Sequence, residues 1–230
     1  MATDHQLEKD VMDELDWELS TQGVLPILPP VYPTWGKRLL DLGLLLLAAP
    51  FVLPLVALLA LLIRASGGPA FFGQDRLGQG GRVFRFWKLR TMVVNAEQAL
   101  ERHLASDPQA RAEWERHQKL TRDPRITRVG QILRATSLDE LPQLWNVLWG
   151  DMSLVGPRPM LPEQEPLYPG KVHLHLRPGL TGSWQVGERH TSTFADRARY
   201  DDQYAAELSL RTDLRIILAT VRVVVRGSGR

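Results

Sequence analysis

The sequence predicts a predominantly helical α+β fold built around one membrane-embedded helix, and three observations carry that expectation. The run Leu39–Ile63, LLDLGLLLLAAPFVLPLVALLALLI, is almost wholly apolar. As a straight helix it would measure about 37 Å, enough for a bilayer core of about 30 Å. The stretch Ala70–Met92 mixes aromatic and β-branched residues with Gly78, Gly80 and Gly81, the pattern of two short strands joined by a turn. From Asn95 onward, the longer stretches carry helix formers with polar or amphipathic spacing.

With 230 residues, 23% of them charged and 44% hydrophobic, the chain has room for one domain plus an anchor. That composition excludes a disordered chain and a multi-span transporter. The absence of cysteine removes disulfides and thiolate metal sites and fits a reducing compartment. The formal charge of +2 hides an asymmetry, because Asp4–Glu18 carries seven acidic residues against Lys9 and Arg64–Arg90 six basic residues against Asp75. A basic stretch directly after an apolar segment suits anionic headgroups or phosphate ligands, although a solvated charged face reads the same way. No secretory signal is evident: the apolar run starts too late, runs too long and lacks a small-residue cleavage site.

In chain order, residues 1–34 form an acidic and proline-rich segment. Val11, Leu15 and Leu19 within it suit a short amphipathic helix, and Leu25–Pro33 reads as an extended linker. Residues 35–66 hold the membrane helix. Pro50 and Pro54 each remove a helix hydrogen bond mid-segment. Lys37 and Arg38 at one end and Arg64 at the other favour the same membrane side. A re-entrant helix that kinks at the prolines and returns to its own face satisfies both facts; the alternative is one ordinary span with a proline kink.

Residues 67–226 form the remaining domain, and 227–230 a flexible tail. Val83–Phe86 is the better strand of the glycine-punctuated pair. Asn95–Leu120 suggests two solvent-facing helices broken at Asp107-Pro108. Leu138–Trp149 sets Leu141, Leu144, Trp145, Leu148 and Trp149 on one helical face, suited to a membrane interface or a core. Asp213–Val225 is a further amphipathic or apolar helix.

Within Ser137-Leu138-Asp139-Glu140-Leu141-Pro142, Pro142 belongs in the first turn of a helix, so the helix is expected to begin near Asp139. Carboxylates there meet amide donors that also favour phosphates, and such a carboxylate can attack phosphorus. The plainer reading is a capping box between Ser137 and Glu140. Gly156-Pro157-Arg158-Pro159 gives a stiff mount for one guanidinium, whose planar fork matches phosphate, or else a rigid exposed turn. Arg177-Pro178-Gly179 is a similar turn. Lys88 and Arg90, two apart, would share one strand face. His173 and His175 on a strand face suggest a metal pair, but no third ligand of matching spacing lies near. The basic aromatic run Arg82–Arg90 suits nucleic acid, but the adjacent membrane segment argues against that reading.

These motifs together resemble the monotopic polyprenyl-phosphate phosphoglycosyl transferases, also called the bacterial sugar transferase family. The resemblance covers roughly Lys37–Val225. It rests on Lys37-Arg38 and Asp41 before the apolar helix, FGQDRLGQGGRVFRFWKLRTM from Phe72, DPRITRVGQILRATSLDELPQLWNVLWGDMSLVGPRP from Asp123, and RPGLTGSWQV from Arg177. It implies a re-entrant membrane helix supporting a small cytosolic α/β catalytic part with amphipathic helices at the interface.

By the same resemblance Asp139 is the nucleophile that attacks the β-phosphate of a UDP-sugar, releasing UMP. The phosphosugar held on Asp139 then passes to undecaprenyl phosphate. Glu140 acts as base or positions the acceptor, and Mg²⁺ near Asp139 offsets diphosphate charge. Lys88, Arg134, Arg158 and Arg189 match basic positions lining the family's site, and Arg90 and Arg177 complete the candidate phosphate ligands. The chain departs from the family at Gly187-Glu188-Arg189, where Gly-Arg is usual, and at Ala49-Pro50, where Ser-Pro is usual, which shifts weight for the kink onto Pro54.

The implied setting is the bacterial inner membrane, among its phospholipids, with the site on the cytoplasmic face. The implied role is the first membrane step of exopolysaccharide, O-antigen or related glycoconjugate assembly. TGSWQVGERHTSTF resembles members that handle galactose or glucose. Larger members carry extra N-terminal spans, so this chain is expected to be a minimal catalytic unit. A homodimer is compatible with the sequence, though no feature argues for one. The rival readings are a membrane-tethered hydrolase, which fits poorly because adjacent helix residues do not face one another, and a non-catalytic membrane scaffold.

Overall fold

The computed structural model describes residues 32–117, 120–187 and 193–225. The expected amphipathic helix in Met1–Ser20, most of the Leu25–Pro33 linker, Arg189 and the tail at 227–230 lie outside the described residues. Helix α1 (Lys37–Ala65) follows a π-helical turn, Tyr32–Gly36, and continues through both Pro50 and Pro54. Only 6% of its most apolar 18-residue stretch is buried, so it is no core helix of a soluble body.

Both ends of α1 are fastened to the same body. At its start, Lys37 Nζ donates to Asp213 Oδ2 at 2.6 Å and to the Tyr204 hydroxyl at 2.8 Å. One turn on, Asp41 Oδ1 accepts from Ser153 Oγ at 3.1 Å and from the Leu154 amide at 2.9 Å. At its far end, Leu59, Ala60 and Ile63 pack with Ala70, Leu89 and Leu133. Between these anchors Leu46, Leu47, Phe51, Leu53 and Leu58 are exposed. A stretch with such side chains is stable only in apolar surroundings.

The chain then forms the expected hairpin, β1 (Phe71–Leu77) antiparallel to β2 (Val83–Leu89). Gly80 and Gly81 turn it with φ of 71° and 72°, which glycine adopts without steric cost. The register sets Phe72, Gln74 and Arg76 opposite Lys88, Phe86 and Phe84, so these six side chains share one face. Helices α2 (Ala96–Ser106) and α3 (Pro108–His117) follow, broken as expected at Asp107-Pro108. Asp107 Oδ1 accepts from the amides of Gln109 at 2.9 Å and Ala110 at 3.1 Å, which caps α3.

Helix α4 (Arg128–Thr136) ends at Ser137, whose φ of 57° turns the chain sharply. Here the structure corrects the sequence reading. Leu138–Glu140 is a 3₁₀ turn, and the α-helix α5 runs only from Gln143 to Trp149, with Pro142 at its cap rather than in its first turn. The capping box between Ser137 and Glu140 is not formed, because Ser137 already serves as the left-handed cap of α4 and its side chain makes no cap bond.

A second, parallel pair joins β3 (Ser153–Val155) to β4 (Gly179–Thr181). Between them lie a 3₁₀ turn, Pro162–Leu167, and the short α6 (Val172–His175). His173 and His175 therefore sit on a helical turn and not on a strand face, since the Leu176 amide bonds back to Val172 O. His173 lies 3.4 Å from Glu165, and no group of three metal-ligating side chains exists among the described residues.

Three helices complete the fold: α7 (Ser183–Val186), α8 (Arg197–Ala206) and α9 (Leu210–Val225). Val155, Tyr204, Leu208 and Ile216 fill the core between β3, α8 and α9. On the other face of α9, Leu210, Leu214, Leu218 and Val221 are exposed at helical spacing, as are Trp145 and Trp149 on α5. The architecture is mostly helical with two small sheets and one long apolar helix, in agreement with the α+β expectation.

Candidate active site

Strand β2 delivers Lys88 to the 3₁₀ turn that carries the adjacent carboxylates. Lys88 Nζ donates to Glu140 Oε1 at 2.8 Å and stands 3.8 Å from Asp139 Oδ2. One ammonium thus spans both acids, which the tight turn allows although the two residues are neighbours in sequence. Asp139 is 8% exposed. Burial pushes its carboxyl above the usual aspartate range, opposed by Lys88, while Glu140 adds to the rise and Arg134 and the residue's own amide oppose it. Its ionised form therefore depends on the cations around it.

Arg134 is aimed by a close packing of α4 on the chain after β2. Thr127 Oγ1 caps α4 by accepting from the Gly130 amide at 2.9 Å. A Cβ on Gly130 would lie 2.0 Å from Thr91 O, so only glycine lets the helix lie this near. Arg134 Nε then donates to Thr91 Oγ1 at 2.9 Å.

Arg158 is mounted as the proline spacing predicts. A Cβ on Gly156 would meet Arg177 O at 2.4 Å, and the Gly179 amide donates to Pro157 O at 2.8 Å, so the two proline-glycine turns lie backbone to backbone. From the other side Arg197, 4% exposed, donates from Nη2 to Arg158 O at 2.6 Å. The Arg197 guanidinium itself stacks 4.9–5.9 Å from the rings of Phe194, Trp184 and Tyr168. So held, Arg158 points Nη2 to within 3.9 Å of Glu140 Oε1.

Lys88, Arg134, Asp139, Glu140 and Arg158 all line one open cleft of about 1650 Å³, whose other wall is formed by Val93–Gln98 and Thr121–Ile126. That space exceeds the range of about 300–1,000 Å³ usual for one small ligand and suits a large or a double occupant.

Two predicted ligands are placed otherwise. Arg90 lies at the cleft, but its guanidinium donates to Ile63 O and Gly67 O at the end of α1. The strand ends at Leu89, so the alternation that would have set Arg90 beside Lys88 stops before it. Arg177 does not line the cleft, and its backbone packs against Gly156.

The sequence reading missed Gln74 and Arg76, which line the cleft, and Thr91 and Arg197, which hold Arg134 and Arg158. Arg76 becomes visible only through the hairpin register, which sets its strand beside that of Lys88. As to a metal, Asp139 and Glu140 offer carboxylate oxygens at one point of the cleft, and no third acidic or histidine ligand joins them among the described residues. Such a set fits a hard divalent cation that completes its shell with phosphate oxygens and water.

Comparison with known proteins finds relatives over most of the chain. The family description "Bacterial sugar transferase" matches residues 32–227. The chain is 44% identical over 195 residues to a UDP-galactose-lipid carrier transferase of Erwinia amylovora and, to the same extent, to an undecaprenyl-phosphate galactose phosphotransferase of Salmonella typhimurium. Each match covers 84% of this chain and 41% of the relative. It is also 42% identical over 205 residues to a UDP-glucose:undecaprenyl-phosphate glucose-1-phosphate transferase of Caulobacter vibrioides, covering 84% of this chain and 71% of that protein. The chain thus spans about two fifths of the length of the first two relatives.

Proposed function

The chain belongs to the bacterial sugar transferase family, and we propose that it transfers a sugar-1-phosphate from a UDP-sugar to undecaprenyl phosphate. The observation that carries this reading is the position of the carboxylate pair. Lys88, which spans Asp139 and Glu140, directly precedes Leu89, and Leu89 packs on Ile63 at the end of the apolar helix. That position supports a site within reach of both a water-soluble donor and a lipid-borne phosphate.

In the first step an Asp139 carboxylate oxygen attacks the β-phosphorus of the donor. The bond from that phosphorus to the bridging oxygen breaks, and UMP leaves with the electron pair. The sugar phosphate remains on Asp139 as an acyl phosphate. In the second step a phosphate oxygen of the acceptor attacks the same phosphorus, and the Asp139 carboxylate leaves unchanged. Lys88 and Arg134 favour the ionised form of Asp139 against its burial and offset phosphoryl charge. Glu140, tied to Lys88 and Arg158, serves to position the acceptor. Mg²⁺ held by Asp139 together with the donor's diphosphate would supply further charge neutralisation.

The membrane helix is proposed to be re-entrant. The anchoring of both its ends on one body, with an exposed apolar middle, supports that reading. So do the basic flanks. On this reading the site faces the cytoplasm at the inner membrane, and the exposed faces of α5 and α9 rest among phospholipids. The relatives' names favour galactose or glucose as the sugar and polysaccharide assembly as the setting.

The test is UMP release from a panel of UDP-sugars by detergent-solubilised protein with Mg²⁺ and undecaprenyl phosphate. Acceptor-dependent turnover with one hexose donor is expected, reduced at least about 10³-fold in Asp139→Asn. Free sugar phosphate formed without acceptor would replace transfer by hydrolysis.

A further inference from the structure

The cleft holds a cation that this mechanism does not use. Arg76 shares the hairpin face of Lys88. The two flank the ring of Phe86, with Arg76 Cζ 5.4 Å and Lys88 Nζ 5.5 Å from its centroid. Arg76 is half-buried and lines the cleft together with Arg158. Among the described residues it makes no ion pair; its one hydrogen bond runs from Nη2 to the neutral Gln74 Oε1 at 2.9 Å, and its buried Nε has no partner. Its guanidinium lies near enough to Arg158 that the two repel. Burial and that repulsion lower its pKa to about 10, while Glu163, exposed, and Glu140 act the other way.

A partly buried cation normally has an anion beside it. Among the described residues lining this part of the cleft, Lys88, Arg134, Arg158 and Arg76 stand with two carboxylates, Asp139 and Glu140, and positive charge exceeds negative. Lys88 and Arg134 serve the Asp139 end. Arg158 reaches Glu140, and Arg76 lies near enough to both to feel their charges. The charge excess matches a second phosphate group.

We propose that Arg76 and Arg158 form a second phosphate site on the Glu140 side of the cleft, holding the phosphate that Asp139 does not attack. The assignment rests on the transfer reading for its substrates. Two sources share this chemistry: the phosphate of the leaving nucleotide and that of the lipid acceptor. A planar guanidinium suits either, because it can give two parallel N–H bonds to one phosphate.

The experiment uses the full chain in detergent with two substitutions. Arg76→Met keeps the packing over Phe86 and removes the charge, and Arg76→Lys keeps the charge. Thermal unfolding first establishes that both are folded. Binding of inorganic pyrophosphate, which requires no turnover, is expected to weaken about 10- to 100-fold in Arg76→Met and to recover in large part in Arg76→Lys.

Kinetics then identify the source. A raised donor KM and weaker UMP inhibition with an unchanged acceptor KM assigns the site to the nucleotide, and a raised acceptor KM alone assigns it to the lipid. Folded Arg76→Met with wild-type pyrophosphate affinity and both KM values unchanged would overturn the proposal. Arg76-dependent pyrophosphate binding in a wild-type protein that transfers nothing would keep the anion site and discard the transfer reading.

Discussion

Asp139 is held in tension between burial, which disfavours its charge, and Lys88, which favours it. The balance gives a prediction with a definite sign. Its carboxyl is raised above an ordinary aspartate, so the acid limb of kcat/KM for the donor should lie above the usual carboxylate range. Lys88→Gln removes the largest opposing charge and should move that limb to still higher pH, besides lowering the plateau. A pH–rate profile of both proteins checks this, and an unmoved limb would mean that another group titrates. At this scale the sequence was informative wherever a motif fixed a residue's neighbours. Asp139 and Glu140 are singled out by the family resemblance, since their turn alone reads equally as a capping box, and Arg158 by the prolines around it. Arg197 is not, because the bond that makes it matter runs to a carbonyl 39 residues away. Arg76 needed the hairpin register, which no single strand reveals.

Among the elements, α1 is fixed by a buried ion pair that joins the first residue of the membrane helix to α9. The side chains of Lys37 and Asp213 are 10% and 1% exposed, and Tyr32 and Tyr204 also donate to Asp213. Lys37→Met leaves a buried carboxylate without its cation and should cost about 3–5 kcal/mol. Lys37→Met with Asp213→Leu should recover much of that loss, because the unpaired charge is gone. Chemical denaturation of the three proteins in detergent measures it. The apolar run, the hairpin and the two polar helices were legible from periodicity and glycine placement. The start of α5 was not, since Pro142 is equally at home just before a helix and in its first turn, and only the left-handed Ser137 decides between them. Arg90 lies at the cleft but not on the strand face with Lys88, because the strand ends at Leu89.

At the scale of the whole molecule, the re-entrant reading of α1 predicts that Trp35 and Ala65 lie on one side of the membrane. The chain has no cysteine, so Trp35→Cys and Ala65→Cys can each be labelled alone in inverted vesicles with an impermeant maleimide. Equal labelling from the cytoplasmic side is expected, and labelling from opposite sides would make α1 a full span. The central claim, that Asp139 carries the sugar phosphate between donor and lipid, is tested most directly by intact mass. The protein is incubated with Mg²⁺ and the active UDP-hexose in the absence of acceptor. The account predicts a gain of one hexose phosphate, absent in Asp139→Asn and discharged when undecaprenyl phosphate is added. UMP release with no mass gain, or a gain that persists in Asp139→Asn, would contradict it.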